Sequence, residues 1–137
     1  MAGLGLVTFG GFLGGHLTYG QAVNVNKTAD RTGPENWTSV LGEEELSDGD
    51  QRAVELSGVS VLLHRSGGIV RALDSVCSHM GGPLEEGTIE NGCITCPLHG
   101  STFRLADGSI VRGPATRPQP VYEVQTREGQ IQIRRAA

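Results

Sequence analysis

The segments Cys77-Ser78-His79-Met80-Gly81-Gly82 and Cys96-Pro97-Leu98-His99-Gly100-Ser101 decide how this chain is organised. They read C-x-H and C-x2-H, and residues 80–95 lie between the two ligand pairs. Each segment offers one sulfur and one imidazole, close enough in sequence to bind a single centre. Three kinds of site can use such ligands: a structural zinc, a mononuclear iron, or an iron–sulfur cluster with mixed ligands.

The order of the ligands speaks against zinc. Zinc fingers usually pair cysteine with cysteine and histidine with histidine, as in C-x2-4-C followed by H-x3-5-H. Here each segment is mixed. A mixed pair that occurs twice suits a [2Fe–2S] cluster, in which two cysteines hold one iron and two histidines hold the other. We therefore favour the cluster and keep a zinc-stabilised interaction module as the alternative.

The two segments resemble the cluster-binding boxes of Rieske iron–sulfur proteins, and the resemblance extends over about residues 37–134. It implies stacked antiparallel sheets with a cluster-binding subdomain made of two hairpin loops. It also implies one [2Fe–2S] cluster whose metal ligands are Cys77, His79, Cys96 and His99. We call residues 77–82 the first box and residues 96–101 the second box.

The same resemblance assigns two further residues to the cofactor site. Ser101 can aim its hydroxyl at a cluster sulfur, and Pro114 lies in a segment, residues 113–118, that resembles the loop closing over the cluster. High-potential relatives use both a serine and a tyrosine hydroxyl at the cluster. This chain has Phe103 in place of that tyrosine, so we expect a reduction potential between the extremes of the family.

The chain has three cysteines, which excludes a framework made of disulfides alone. Respiratory Rieske domains carry an extra cysteine in each box, joined as a disulfide. Those positions resemble Gly82 and Leu98 here, so the resemblance points to the ferredoxin-like branch, which typically works in reducing cytosol. The third cysteine, Cys93, begins an apolar run, where we expect a buried and inert side chain.

From residue 37 onward the chain reads as short strands between turns, with no helical period of any length. This pattern predicts an all-β domain, and its last two strands form a hairpin that would seal the sheet. The predicted strands are residues 37–41, 52–56, 59–64, 69–73, 87–90, 93–95, 102–104, 109–112, 121–125 and 130–134.

Charge and composition limit the function classes. The chain has 137 residues and a formal charge of −4. Such an acidic balance offers no cationic track for a nucleic-acid backbone, so we expect no nucleic-acid partner. The chain also has 21 glycines and few aromatic residues, which indicates a modest core that a bound metal helps to stabilise.

Residues 1–20 form an apolar, glycine-rich segment. Residues 2–15 carry no charge, yet a helix needs about twenty apolar residues to span a bilayer. No Lys or Arg precedes the run, which speaks against a signal peptide. Residues 10–20 resemble the end of a transmembrane helix in a bacterial membrane domain that is sometimes fused to Rieske modules. We predict a partial membrane anchor, helical in lipid, and a flexible N-terminus is the alternative.

Residues 21–36 are polar and contain Gly33-Pro34, so we interpret them as a linker to a Rieske domain over residues 37–137. Lys27 and Arg31 are the only cations of this linker. By the positive-inside rule they predict a cytoplasmic domain, on the cytoplasmic face of the membrane if residues 1–20 are an anchor.

The remaining residues bear on whether the chain is an enzyme by itself. An oxygenase needs a separate mononuclear iron, commonly bound by two histidines and a carboxylate. Only His16 and His64 remain once the boxes are assigned, and the sequence contains no glycine-rich dinucleotide fingerprint. The chain is therefore not expected to be an enzyme by itself.

We predict an electron-transfer protein that carries one electron at a time on the cluster. It would act as a ferredoxin or as the electron-entry component of an oxidoreductase system. Its expected partners are a reductase upstream and an oxygenase or other acceptor downstream. The alternative is a small Rieske subunit of a multi-subunit enzyme, of the nitrite-reductase-like or oxygenase type.

Overall fold

A computed structural model describes residues 2–20 and 26–136 of the chain. An α-helix, α1, covers Ala2–Gly15, and a π-helical turn covers His16–Gly20. Within the described residues all other regular structure is β, apart from two short 3-10 turns at Glu43–Glu45 and Leu84–Glu86. The strands are β1 Thr38–Gly42, β2 Gln51–Leu56, β3 Val59–Ser66, β4 Ile69–Asp74, β5 Thr88–Glu90, β6 Cys93–Thr95, β7 Thr102–Arg104, β8 Ile110–Arg112, β9 Val121–Arg127 and β10 Gln130–Arg135.

The strands form two antiparallel sheets. The larger sheet has six strands in the order β1-β10-β9-β4-β3-β2, and the smaller has four in the order β5-β6-β7-β8. The all-β prediction is confirmed, and the two ends of every predicted strand lie within two residues of the ends of an observed strand. The β9–β10 hairpin, however, does not seal the larger sheet at its edge. It lies inside the sheet, because β1 pairs with the outer side of β10.

Strand β3 is where the two hydrophobic cores of the molecule meet. Successive side chains of a strand point to opposite faces, and all of Val61, Leu62 and Leu63 are fully buried. Leu62 packs with the core of the smaller sheet, whereas Val61 and Leu63 pack with the core of the larger sheet. Cys77 and Cys96 belong to the first of these cores, so the sulfur atoms of both boxes are anchored in packed hydrophobic structure.

Residues 26–34, which we call the strap, lie against the domain. Lys27 N–H donates a hydrogen bond to the carbonyl of Ser78 at 3.0 Å, and Arg135 N–H donates to the carbonyl of Pro34 at 2.7 Å. Gly33 has φ +57, and a Cβ at this position would lie 2.4 Å from Cε1 of Tyr122. Residues 21–25 of the predicted linker lie outside the described residues. The division of the chain at residues 20 and 36 stays a prediction.

A buried ion pair fixes the strap beside the first box. Nε of Arg31 donates to Oδ2 of Asp74 at 2.7 Å, and the Asp74 side chain is fully buried. Burial raises the pKa of Asp74, while the bonds from Arg31 and from the backbone N–H of Val76 act in the opposite direction. A buried carboxylate without a positive partner is strongly unfavourable. The guanidinium of Arg31, which belongs to the strap, supplies the positive charge that compensates Asp74.

Helix α1 exposes all of its large apolar side chains. Among residues 2–20 and 26–136, no helix combines the length and the hydropathy required to cross a membrane. The exposed apolar side chains of α1, each 44–74% exposed, are Leu4, Leu6, Val7, Phe9, Phe12 and Leu13.

Candidate cluster-binding site

The two boxes fold into loops with the same backbone hydrogen bonds. Cys77 N–H donates to the carbonyl of Gly82 at 2.8 Å, and Gly81 N–H donates back to the carbonyl of Cys77 at 2.9 Å. In the second box, Cys96 N–H donates to the carbonyl of Ser101, and Gly100 N–H donates to the carbonyl of Cys96. The fifth residue of each loop is a glycine with φ near +75, a conformation that favours glycine. The sequence therefore builds the same loop twice.

The first box follows β4 directly, and the second box connects β6 to β7. Their cysteine side chains are buried, with Cys77 1% and Cys96 3% exposed. The imidazole rings of His79 and His99 lie edge to face, with centroids 5.1 Å apart and an interplanar angle of 83°. His79 is half-buried and His99 is exposed. The structure thus arranges the predicted ligands as a buried pair of sulfurs and a more exposed pair of imidazoles.

The surroundings of Cys77 disfavour a free thiolate at this position. Burial raises the pKa of the Cys77 thiol to about 11; the backbone N–H of His79 acts in the opposite direction, and the neighbouring Cys96 thiol raises this pKa further. A thiol with this pKa keeps its proton at neutral pH unless a cation replaces it. The Cys77 thiol, buried beside the sulfur of Cys96, therefore fits the role of a metal ligand better than that of a free reactive cysteine.

One ring nitrogen of the imidazole pair is buried without a hydrogen-bond partner within residues 2–20 and 26–136. Nδ1 of His79 is buried and has no hydrogen-bond partner among the described residues. A buried ring nitrogen without a partner is costly, and a metal ion would satisfy it. His79 Nδ1 is therefore the atom of this ring that fits a ligand role.

Within the part of the chain that the structure describes, no three His, Cys, Asp or Glu side chains form a group that could hold one metal ion. The four predicted ligands lie instead as a pair of sulfurs and a pair of imidazoles.

Gly82 brings the two loops into contact beside the sulfur atoms. A Cβ at this position would lie 2.7 Å from Sγ of Cys96 and 3.1 Å from two side-chain carbons of Leu98. Positions 82 and 98, which resemble the disulfide positions of respiratory Rieske domains, are therefore neighbours in this chain. Glycine lets the first loop pass directly over the sulfur of the second.

A hydrogen bond from Ala115 to Ser101 joins the second box to residues 113–118, the segment that contains Pro114. Ser101 is fully buried, and its Oγ accepts a hydrogen bond from the N–H of Ala115 at 3.0 Å. The hydroxyl proton of Ser101 is not used in this bond and can be donated elsewhere. Pro114 is exposed and follows a cis peptide bond. The roles of Ser101 and Pro114 at the cofactor stay predictions.

The remaining histidines and the third cysteine lie apart from this set of ligands. His64 is buried in β3, with Nδ1 2.9 Å from the carbonyl oxygen of Asp50. The ring of His16 stacks on Phe12 at the end of the N-terminal helix. Cys93 is half-buried rather than buried, with Sγ 3.8 Å from the carbonyl oxygen of Asn91.

Sequence reasoning missed two residues next to the ligands. Ser78 and Gln119 are buried, and the Oε1 of Gln119 accepts the N–H of Ser78 at 3.0 Å across 41 residues of chain. The one signal in the sequence is a glutamine between two prolines, Pro118 and Pro120. That pattern does not indicate which backbone groups the amide reaches.

A family model described as the Rieske [2Fe-2S] domain matches residues 36–123. This chain belongs to the Rieske family. Among its curated relatives, ferredoxin CarAc of Metapseudomonas resinovorans is 32% identical over 98 residues, covering 71% of this chain and 92% of the relative. The 3-phenylpropionate/cinnamic acid dioxygenase ferredoxin subunit of Photorhabdus laumondii is 40% identical over 91 residues, covering 66% of this chain and 86% of the relative.

Solved structures give the same relationship for this Rieske protein. The ferredoxin of carbazole 1,9a-dioxygenase from Nocardioides aromaticivorans superposes with a TM-score of 0.69 at 26% identity, covering 74% of this chain and all of that ferredoxin. A chain in a complex of reduced oxygenase and oxidised ferredoxin of carbazole 1,9a-dioxygenase has a TM-score of 0.68 at 29% identity, covering 74% of this chain and 96% of that chain. The protein therefore carries a Rieske-type [2Fe–2S] cluster and transfers electrons between redox partner proteins.

The contact at Gly82 can be tested by adding a single methyl group. In Gly82→Ala the new carbon would overlap Sγ of Cys96, and such overpacking typically costs about 1–3 kcal/mol. We expect lower iron and sulfide content and an altered visible circular dichroism spectrum. Gly81→Ala is the control. Its added carbon meets only Val76, at 3.8 Å, so this variant has the backbone strain of a side chain at φ +78 without an overlap with Cys96. A fully loaded Gly82→Ala protein with the wild-type spectrum would contradict the geometry.

Ser101→Ala tests the proposed hydroxyl donor. A hydrogen bond to a cluster sulfur stabilises the reduced, more negative state, so the midpoint potential should fall on the order of tens of millivolts, at about 60 mV per 1.4 kcal/mol for one electron. Thr102→Ala is the control, because that hydroxyl is 3.0 Å from the hydroxyl of Thr95. Voltammetry that gives the wild-type potential for Ser101→Ala would remove Ser101 from the site.

Proposed function

We propose that this protein is the ferredoxin of a multicomponent oxygenase system. It takes one electron from a reductase and delivers it to a terminal oxygenase. The support is the set of relatives that are ferredoxin components of dioxygenase systems, including the anthranilate 1,2-dioxygenase ferredoxin subunit of Burkholderia cepacia. One similar solved structure contains an oxygenase together with its ferredoxin.

We assign the four ligands within this proposal as two pairs. Cys77 and Cys96, which are buried, would hold one iron, and His79 and His99 would hold the other. The bound cluster supplies a one-electron redox centre. Neutral imidazoles on one iron leave the centre less negative than four thiolates would, which raises its potential into the Rieske range of about −150 to +300 mV. Pro114 and its neighbours would limit the access of water to this centre.

The observation that carries the proposal is the surface around the histidines. His99 is exposed, Leu98 beside it is 57% exposed, and Met80 beside His79 is 44% exposed. Apolar side chains exposed around a redox site favour a small contact with a partner protein, of the kind that transient electron-transfer complexes use. The sulfur pair is buried whereas His99 is exposed, so in this proposal the electron leaves through the imidazole edge.

A charge introduced at Leu98 tests this surface. We expect Leu98→Glu to slow electron transfer to the oxygenase component of carbazole 1,9a-dioxygenase, used as the acceptor in stopped-flow experiments, by about tenfold or more. Ile69→Glu is the matched control, because Ile69 is also 57% exposed but lies in the cavity beside the β5–β6 turn. The midpoint potential of each variant is measured as well, so that electron-transfer rates are compared at equal driving force.

Equal rates for Leu98→Glu and Ile69→Glu at equal driving force would contradict a docking role for this surface. Purification of the protein from its native source gives an independent outcome. Recovery as a stoichiometric subunit of a large enzyme would favour the small-subunit alternative over a free ferredoxin.

For residues 1–20 we propose a membrane contact on the cytoplasmic side. Helix α1 would be about 21 Å long at 1.5 Å per residue, which is shorter than the hydrocarbon core of about 30 Å. It exposes Phe9 and Phe12 on an uncharged helix, so it would lie in the interface rather than cross. In this proposal residues 21–36 are the linker and residues 37–137 are the cluster domain.

Flotation with phosphatidylethanolamine–phosphatidylglycerol vesicles tests the membrane contact. We expect the wild-type protein to float with the vesicles and the Phe9→Ser/Phe12→Ser variant to remain in the aqueous fraction. The control is Ile69→Ser/Val111→Ser, which removes two exposed apolar side chains from the β domain. The same distribution for wild-type protein and for the α1 variant would contradict the proposal.

A further inference from the structure

Ser78 lies between two predicted ligands and is held entirely from outside its own loop. It is 1% exposed. Its N–H donates to Oε1 of Gln119 at 3.0 Å, and its hydroxyl donates to the carbonyl of Arg117 at 2.9 Å. Its carbonyl accepts the N–H of Lys27 from the strap at 3.0 Å. All polar groups of this residue therefore have partners on two distant segments of the chain.

Gln119 is the centre of this arrangement. Its side chain is buried, and its Nε2 donates to the carbonyls of Asp74 at 2.7 Å and Val76 at 2.6 Å. An amide has one oxygen and two N–H donors for such bonds, and here the oxygen takes Ser78 while the nitrogen serves the other two. One side chain thus satisfies three backbone groups within residues 74–78, the segment that leads into the first ligand pair.

The backbone of Gln119 is itself fixed. Its N–H donates to the carbonyl of Gly108 at 2.8 Å. Gly108 has φ +70, and a Cβ at that position would lie 1.9 Å from the carbonyl oxygen of Gln119. Pro118 and Pro120 flank the residue and restrict φ on both sides. The amide therefore reaches the first box from a rigid position.

We propose that Gln119 is a positioning residue for the cluster: its buried amide fixes the Ser78 peptide and thereby the relative orientation of Cys77 and His79. The inference rests on the ligand assignment proposed above. Residues that orient metal ligands also tune the metal centre, and removal of one partner leaves buried backbone groups unsatisfied. Gln119 therefore controls both the retention of the cluster and its potential.

Two matched glutamine variants separate this role from general stability. Gln119→Met keeps the length of the side chain and removes its three hydrogen bonds. Gln51→Met is the control, because Nε2 of Gln51 also donates to two backbone carbonyls, those of Glu85 at 2.7 Å and Gly87 at 3.1 Å. The bonds of Gln51 go to residues after the first box, whereas those of Gln119 go to residues on either side of Cys77, one of them between Cys77 and His79.

We expect Gln119→Met to lose iron to a chelator at least about tenfold faster than the wild-type protein. It should also show a shifted midpoint potential and shifted g-values in the EPR spectrum of the reduced protein. Gln51→Met should melt at a lower temperature than the wild-type protein but keep the wild-type potential and g-values. A Gln119→Met protein with wild-type potential, g-values and iron retention would overturn the proposal, whatever its melting temperature.

A measurement on the wild-type protein does not depend on whether the variant folds. The N–H of Ser78, bonded to a buried amide, should be strongly protected in hydrogen exchange measured by mass spectrometry of peptides covering residues 74–80. Rapid exchange at Ser78 would overturn the proposal that the Gln119 amide fixes the Ser78 peptide. A wild-type protein without iron, sulfide or an EPR signal would instead contradict the ligand assignment, so the two failures are distinguishable.

Discussion

Two thiols placed side by side in a hydrophobic core are the constraint on which the rest of this structure depends. Burial holds Cys77 protonated, with a pKa of about 11, unless a cation takes the place of the proton. Cys96 lies against the backbone of Gly82 in the same packed region. Because both cysteines fill positions in the core of the smaller sheet, we expect metal binding to stabilise the folding of that sheet.

The other elements keep the loops that carry these thiols in register. The two boxes have the same internal backbone bonds, and each starts from a strand whose side chains belong to a core. The strap and Gln119 then fix the first box from outside through Ser78 and Asp74. Because the sulfurs are buried while His99 is exposed, this framework places the imidazole edge where a partner can reach it.

Local patterns predicted the strands and the ligand loops, because alternation and ligand spacing are properties of neighbouring residues. The position of the β9–β10 hairpin inside the larger sheet was not predictable in this way, since alternation does not specify which strand β1 pairs with. The contacts that Gln119 and Lys27 make with Ser78 were not predictable for a related reason. Their bonds to Ser78 join residues 41 and 51 positions apart, and no local pattern encodes such a partner.

The most direct test of the account is metal and acid-labile sulfide analysis of anaerobically purified protein, with EPR of the dithionite-reduced sample. The account predicts about two irons and about two sulfides per chain and the low average g-value of a [2Fe–2S] centre with two histidine ligands. Stoichiometric zinc without sulfide, persisting after iron–sulfur reconstitution, would contradict it.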